Sequence, residues 1–469
     1  MGRQKELAKN TAILTFGKIC TQCISFFLLP LYTAVLDTSE YGLFDLMITY
    51  GTLLIPIVNW QFDQGLFRFL IDVRGNKEKQ TEIFSSVFTA NIVQAALFIL
   101  IMALVSIVSS FKYSIFLTTY VVLHVFVALL LQFVRGLGKS TVYAVASFIS
   151  AVTTVALNAL TLVVFKLGLN GLFLATIAAQ IATLVYLFIA SKVYRYFKFR
   201  QINKNTYREV RKYSLPLIPN NLAWWVVNVS DRTIVSYVLG VAANGIYTVA
   251  NKFSNVFINF YNIFNLTWTE TVSLHYQDED RDVFLSDTMT TLYKMFSCAC
   301  FGVVALMPYI FPIMVHSNYA EAYPQIIILM YAMLLRVIVG LYSCVYIAMK
   351  DSKKVATTSG ISALINIVVN LLLINKIGLY AASISTFVAF GAMAIVRYFD
   401  INKILKMKIK RSVLISSIII GCALAVTYYI NLAPVNLGML AVVVVYSFVM
   451  NLGIINSAIK MVHNFWVKK

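Results

Sequence analysis

Charge is scarce in this sequence. Only 12% of its 469 residues are Asp, Glu, Lys or Arg, about half the share of an ordinary soluble domain. The acids are the scarcer, 19 against 38 bases. So few charges cannot cover a sizeable soluble domain, which excludes a cytosolic enzyme with a membrane tail. Cysteine is sparse too: Cys20, Cys23, Cys298, Cys300, Cys344 and Cys422 all lie in hydrophobic runs, which excludes the disulfide framework of a small secreted domain. Cys20-x-x-Cys23 has no strand-helix context and reads as helix packing. The four histidines, His124, His275, His316 and His463, are scattered, so no metal cluster emerges. Gly136-Leu137-Gly138-Lys139-Ser140-Thr141 imitates the end of a phosphate-binding loop, but the required first glycine is Phe133 and a span end is the wrong context. No nucleophile-base constellation is discernible, and we expect no enzyme.

Apolar residues, in contrast, make up 60% of the chain, with 33 Phe, 27 Tyr and 5 Trp. A mean hydropathy of +0.80 makes it an all-α integral membrane protein, since at about 20 residues per crossing most of the chain is consumed by spans. Hydrophobic runs lie near residues 10–36, 41–62, 83–109, 114–134, 142–165, 169–191, 214–238, 243–273, 291–314, 322–349, 355–375, 378–398, 412–430 and 438–459. These are fourteen expected helices. The basic start MGRQKELAK resembles a secretory signal, yet the following run carries Lys18 and no A-x-A-like cleavage site; it reads as a retained first span.

With both termini cytoplasmic, and with Lys294 and Arg397 at the ends of their runs counted with the adjoining loops, 31 of the 38 bases fall in cytoplasmic segments, and only Lys112, Lys166 and Lys376 fall outside. Lys18, Arg232, Lys252 and Arg336 lie inside spans. The net charge of +19 is therefore mostly a topology signal, and nucleic acid need not be invoked. The basic loops would face anionic lipid.

An internal repeat organises the spans. Lys9 and Lys212 each start a span that ends before Tyr41-Gly42-Leu43-Phe44 and Asn244-Gly245-Ile246-Tyr247 respectively, at a spacing of 203 residues. Leu167-Gly168-Leu169 recurs at a spacing of 210 as Ile377-Gly378-Leu379. Six crossings separate equivalent points, so the halves share orientation about an axis along the membrane normal. The expected division is an N-lobe over 1–200, a C-lobe over 201–403, and two added spans over 404–469.

Polar residues mark one face of four spans, taking about 100° per residue. Span 1 carries Thr11, Thr15, Lys18, Gln22, Ser25 and Tyr32; span 2 carries Asp45, Thr49, Thr52, Pro56, Asn59 and Asp63. Span 7 carries Asn221, Trp225, Asn228 and Arg232 with Asp231 beside them, and span 8 an amide stripe of Asn244, Thr248, Asn251, Asn255, Asn259 and Asn262, edged by Lys252 and Glu270. Such faces avoid lipid; they line a wet cavity or hydrogen-bond each other. The span 11 stripe, Ser359, Ser362, Asn366 and Asn370, and Thr154 and Asn158 of span 5 read instead as helix packing. A charge near mid-membrane costs about 2.5 to 3.5 kcal/mol on insertion scales, so Lys18, Arg232, Lys252 and Arg336 each need a partner or a purpose. Pro30, Pro56, Pro216 and Pro219 would kink or interrupt spans there.

Through its spans, its repeat and the runs Ser214-Leu215-Pro216-Leu217-Ile218-Pro219-Asn220, Ser230-Asp231-Arg232, Asn244-Gly245-Ile246-Tyr247 and Ala250-Asn251-Lys252, the chain resembles the bacterial oligosaccharide-lipid flippases. These are the O-antigen and capsule repeat-unit exporters of the multidrug, oligosaccharidyl-lipid and polysaccharide exporter superfamily. The resemblance covers nearly the whole length. It implies a MATE-like fold of two bundles around a central cavity, alternating access, a polyprenyl-pyrophosphate-linked glycan as cargo and the bacterial cytoplasmic membrane as location. The related lipid II flippases use arginines in spans 1, 2 and 8; here spans 1 and 8 offer Lys18 and Lys252, and the interior of span 2 has no cation.

An anionic pyrophosphate wants Lys18, Arg232, Lys252 and Arg336; a sugar headgroup wants amides and aromatic faces, here Gln22, Asn221, Trp224, Trp225, Asn228, Asn251, Asn255 and Asn259. Asp45, Asp63, Asp231 and Glu270 are candidates for a coupling proton or sodium ion, and no other cofactor is expected. A polymerase and glycosyltransferases are the expected protein partners. A cation-coupled multidrug exporter of the same fold and a non-transporting scaffold for glycan-assembly enzymes are the competing readings; the intramembrane excess of bases favours anionic cargo.

Overall fold

The computed structural model describes residues 26–467 except Lys350 and, at some helical positions including Trp224, Asn228 and those beyond 453, the backbone alone. Sixteen α-helices follow one another without a strand among the described residues. Eleven are long and apolar enough to cross a membrane. The expected spans not among these eleven are the first, mostly outside the described residues, and spans 7 and 8, helices of 22 and 35 residues that carry the polar stripes.

Packing groups the chain into two compact units, Met1–Gly245 and Ile246–Lys469. The repeat divides it differently: span 7 is the first span of the second repeat yet packs within the first unit. In that unit the helices are α1 (Leu29–Val35), α2 (Thr38–Asn59), α3 (Phe62–Asp72), α4 (Lys77–Ser109), α5 (Ser114–Gly136), α6 (Ser140–Asn158), α7 (Gly168–Ser191), α8 (Lys204–Ser214) and α9 (Leu217–Val238), with the first turn of α10 (Val241–His275). Half of the α5 window is buried, as is half of α2, against 17% for α4 and 22% for α6; α5 is the central post because α2, α3, α4, α6 and α7 all pack against it. Apolar side chains pack around it at both ends: Phe62, Leu66, Phe84 and Phe133 in one cluster, Met47, Phe98, Phe116 and Phe173 in the other. Removing such surface from water contributes about 25 cal/mol per Å² where the helices leave lipid; within the bilayer, close packing and hydrogen bonds replace that term.

The second unit continues α10 and adds α11 (Arg281–Met314), α12 (Tyr323–Ala348), α13 (Ser352–Ile377), α14 (Tyr380–Asn402), α15 (Arg411–Ile430) and α16 (Ala433–Val467). Its post is α12, in the most buried span, at 61%. Helices α5 and α12 are spans 4 and 10, equivalents under the repeat. Spans 3 and 9 are equivalents too but differ, with α4 17% and α11 50% buried, because α15 and α16, which have no counterpart in the first unit, lie against α11.

Several expectations resolve locally. The phosphate-loop imitation is a turn, with Gly138 at φ +78° and the Gly136 carbonyl accepting from Arg74 Nε at 2.7 Å. Cys298, Cys300, Cys344 and Cys422 are free thiols. Asn366 donates to Thr386 at 3.1 Å and Ser362 to the Ala389 carbonyl at 3.0 Å, so the span 11 stripe is helix packing against α14. Asn158 likewise donates to Tyr32 Oη at 2.9 Å.

Candidate functional site

The first unit brings the stripes of spans 2 and 7 face to face. Pro56 removes one backbone donor from α2. The helix then ends in two consecutive left-handed residues, Trp60 (φ 51°) and Gln61 (φ 57°). Neither is glycine, so this corner is strained. It aims the Gln61 amide at α9, where Asn221 Nδ2 donates to its Oε1 at 2.8 Å. One turn along α9, Trp225 Nε1 donates to Thr52 Oγ1 at 3.1 Å and approaches the Thr49 carbonyl at 3.3 Å. Further along, Arg232 Nη1 reaches both oxygens of Asp45, at 3.0 and 3.2 Å. That pair is mostly buried, its side chains 18% and 11% exposed. Three rungs thus join α2 to α9.

Beyond the last rung the two repeat motifs meet. Asn244 Nδ2 donates to the Gly42 carbonyl at 3.0 Å. A Cβ on Gly42 would collide with the Val241 carbonyl oxygen, and one on Gly245 with that of Thr38. Residues 38 and 241, like 42 and 245, are 203 apart, so the crossing of the two first turns is reciprocal. An exposed capping box, Asp37 with Glu40, starts α2 at this end.

Asp63 lies just past the strained corner, 7% exposed, and accepts from Asn59 at 2.8 Å and Gln64 at 2.6 Å. Burial pushes its carboxyl above the usual carboxylate range, with those hydrogen bonds opposing. Asp231 accepts the Arg232 amide proton at 2.9 Å.

In the second unit, α10 leans on α12. Trp268 Nε1 donates to the Leu341 carbonyl at 3.1 Å, and the Tyr261 hydroxyl lies over Gly340, where no Cβ would fit. One turn before Gly340 on α12 stands Arg336, partly buried, with the Phe390 ring 5.7 Å from its guanidinium. No hydrogen bond or ion pair within the described residues reaches that guanidinium. On α10, Asn251 donates to the Tyr247 carbonyl at 2.9 Å; Lys252, Asn255 and Asn259 are partly buried, and Glu270 is exposed. Lys18 and Gln22 lie outside the described residues, as do the side chains of Trp224 and Asn228.

The sequence reading missed Arg397. Its place at the end of a run had put it with the cytoplasmic bases, but it is 1% exposed within α14. Its guanidinium donates to Thr358 Oγ1 (2.8 and 3.0 Å), to Ser359 Oγ (3.3 Å), to the Val339 carbonyl (3.1 Å), and to Ser343 Oγ. The signal that could have found it is the Ser/Thr cluster of span 11, whose hydroxyls point to a donor on a neighbouring helix.

The sequence profile of the family described as "Polysaccharide biosynthesis protein" matches residues 7–268, more than half of the chain. No curated protein sequence matches it. Among solved structures, the lipid II flippase MurJ in an inward closed conformation is similar, with a TM-score of 0.71 and 15% identity over 95% of this chain and 99% of that one. An inward-facing MATE-family multidrug resistance transporter of the MOP superfamily scores 0.68 at 12% identity, covering 81% and 93%. An outward-facing MATE transporter scores 0.58 at 13%, covering 84% and 94%. At these identities the likeness is one of fold.

Proposed function

Because the chain belongs to the polysaccharide biosynthesis protein family, we propose that it moves polyprenyl-pyrophosphate-linked oligosaccharide repeat units from the inner to the outer leaflet of the bacterial cytoplasmic membrane, by alternating access, for surface polysaccharide assembly. The chain acts as a carrier and catalyses no covalent step. The observation that carries this reading is Arg336, a membrane-embedded guanidinium with no acidic partner among the described residues. A cation kept unneutralised at such cost suits a cargo that brings its own negative charge. Lys252, and Lys18 by its place in span 1, extend the cationic set. Asn221, Trp225, Asn251, Asn255 and Asn259 supply amide and indole donors suited to sugar hydroxyls. An organic-cation exporter would instead favour unneutralised acids in the cavity; Asp45 is spent on Arg232, and the buried Asp63 is occupied by the amides of Asn59 and Gln64.

The Asp45–Arg232 pair suits a different task. Ion pairs across helices that must part are natural latches, and a passing pyrophosphate would compete for Arg232. The membrane potential is the proposed driving force: two negative charges moved outward gain up to about 2.3 kcal/mol each per 100 mV. If cationic side chains travel with the cargo, the potential acts instead on the return of the empty, positive site. Proteoliposomes given a potassium-valinomycin potential, without a proton or sodium gradient, should flip a labelled short-chain polyprenyl-pyrophosphate disaccharide. No flipping there, restored by a pH gradient and lost again in Asp63→Asn or Asp45→Asn, would replace potential-driven transport with proton coupling. Transport of an organic cation in place of the glycolipid would overturn the proposal.

A further inference from the structure

The connection between α7 and α8, residues 192–203, has no part in that transport reading. It exposes Lys192, Arg195, Lys198 and Arg200, and no acidic residue occurs between Lys192 and Arg208. Aromatic side chains interleave with these bases and divide into two sets. Tyr196 and Phe197 turn inward, their rings 5.2 Å from Phe133 and 5.4 Å from Phe88. Tyr194 and Phe199 turn outward, 59% and 74% exposed, with the Arg195 guanidinium 5.8 Å over the Tyr194 ring.

The segment has little regular structure, yet α4 fixes its backbone. Ser85 Oγ donates to the Tyr196 carbonyl at 3.2 Å and accepts the Lys198 amide proton at 2.9 Å. Ser86 Oγ accepts from the Asn203 amide at 2.9 Å. A solvated charged loop has no need of such ties, whereas a binding surface gains from them because its ordering cost is met before the ligand arrives. The helix α7, long and apolar enough to span a membrane, ends at Ser191, one residue before the segment begins, a place that suits headgroup depth. Exposed aromatic rings belong at that depth, between acyl chains and water.

We propose that residues 192–203 form a docking surface for anionic phospholipid headgroups of the adjoining leaflet. Lys192, Arg195, Lys198 and Arg200 meet the phosphates, and Tyr194 and Phe199 enter the acyl boundary. Charge complementarity and the level of the segment favour lipid over an acidic protein partner.

The test uses the full chain in phosphatidylcholine bilayers, with spin-labelled phosphatidylglycerol or spin-labelled phosphatidylcholine as the probe. Spin resonance reads the motionally restricted fraction of each. The wild type should prefer phosphatidylglycerol, and salt should weaken the preference. The variant Lys192→Gln/Arg195→Gln/Lys198→Gln/Arg200→Gln should lose most of it. Ser85→Ala/Ser86→Ala keeps every charge and should lose part of it. A control, Lys403→Gln/Lys406→Gln/Lys408→Gln/Arg411→Gln, should keep it. An unchanged preference in the first variant, or an equal loss in the control, would overturn the proposal. Should the fourfold variant fail to fold by thermal melting, Arg195→Gln alone must still lower the preference. Flipping of the glycolipid is not needed for this readout, so failure of the transport reading would leave it standing.

Discussion

Arg336 and Arg397 belong to the same unit and are both sequestered from bulk water, but their surroundings are opposite. Arg397 is enclosed by hydroxyl and carbonyl oxygens of α12 and α13 that satisfy its guanidinium on every side. Its charge is spread over neutral dipoles, and the nearby Asp400 is engaged elsewhere, by Lys354 at 2.9 Å and by the Tyr346 hydroxyl at 2.8 Å. Arg336 has an aromatic ring and, among the described residues, no such oxygens. Burial alone therefore does not distinguish the two cations; the count of local acceptors does. A saturated guanidinium ties helices together; on the proposed function, an unsaturated one is left for the cargo.

The sharpest way to break this comparison is to remove each arginine. Arg397→Ala leaves several buried acceptors without a donor and should destabilise the protein by about 3 kcal/mol or more, read as loss of the monodisperse folded species in a thermal melt. Arg336→Ala should leave the melt nearly unchanged while reducing glycolipid flipping at least tenfold, the equivalent of about 1.4 kcal/mol. Should the two variants exchange these phenotypes, the assignment of roles fails.

The Asp45–Arg232 pair tests an intermediate case. Asp45→Asn alone strands a mostly buried guanidinium and should cost about 2 kcal/mol, discounted from the 3 to 5 of a fully buried pair. The double variant Asp45→Asn/Arg232→Gln should recover much of that stability without restoring flipping. Recovery of both would make the pair packing only. The smallest effect is expected at Lys354–Asp400, whose side chains are 38% and 28% exposed. Asp400→Asn should cost less than about 1 kcal/mol and leave flipping intact. A large loss there would mean that Arg397 depends on Asp400 through Tyr346.

Hydropathy and repeat spacing revealed the helical membrane fold, and the helical period revealed that spans 2 and 7 each carry a polar face. What they could not reveal is pairing. Asp45 and Arg232 are separated by most of the first unit, and no local pattern on either helix names its partner. The strained corner at Trp60 and Gln61 left no trace because neither residue is one that favours a left-handed backbone. Arg397 was misplaced because a window average cannot tell the last turn of a span from the first residues of a basic loop.

The reciprocal crossing at Gly42 and Gly245 has a historical consequence. Thr38 touches position 245 and Val241 touches position 42, so each residue makes its twin's contact, the signature of a two-fold homodimer interface. A half-length ancestor would have made this joint with a second copy of itself, and there any substitution strikes both sides at once. Fusion of two such copies would lift that constraint. Asp45, whose twin is Thr248, and Arg232, whose twin is Leu29, could then diverge separately. On this descent the glycine joint is older than the ion pair beside it.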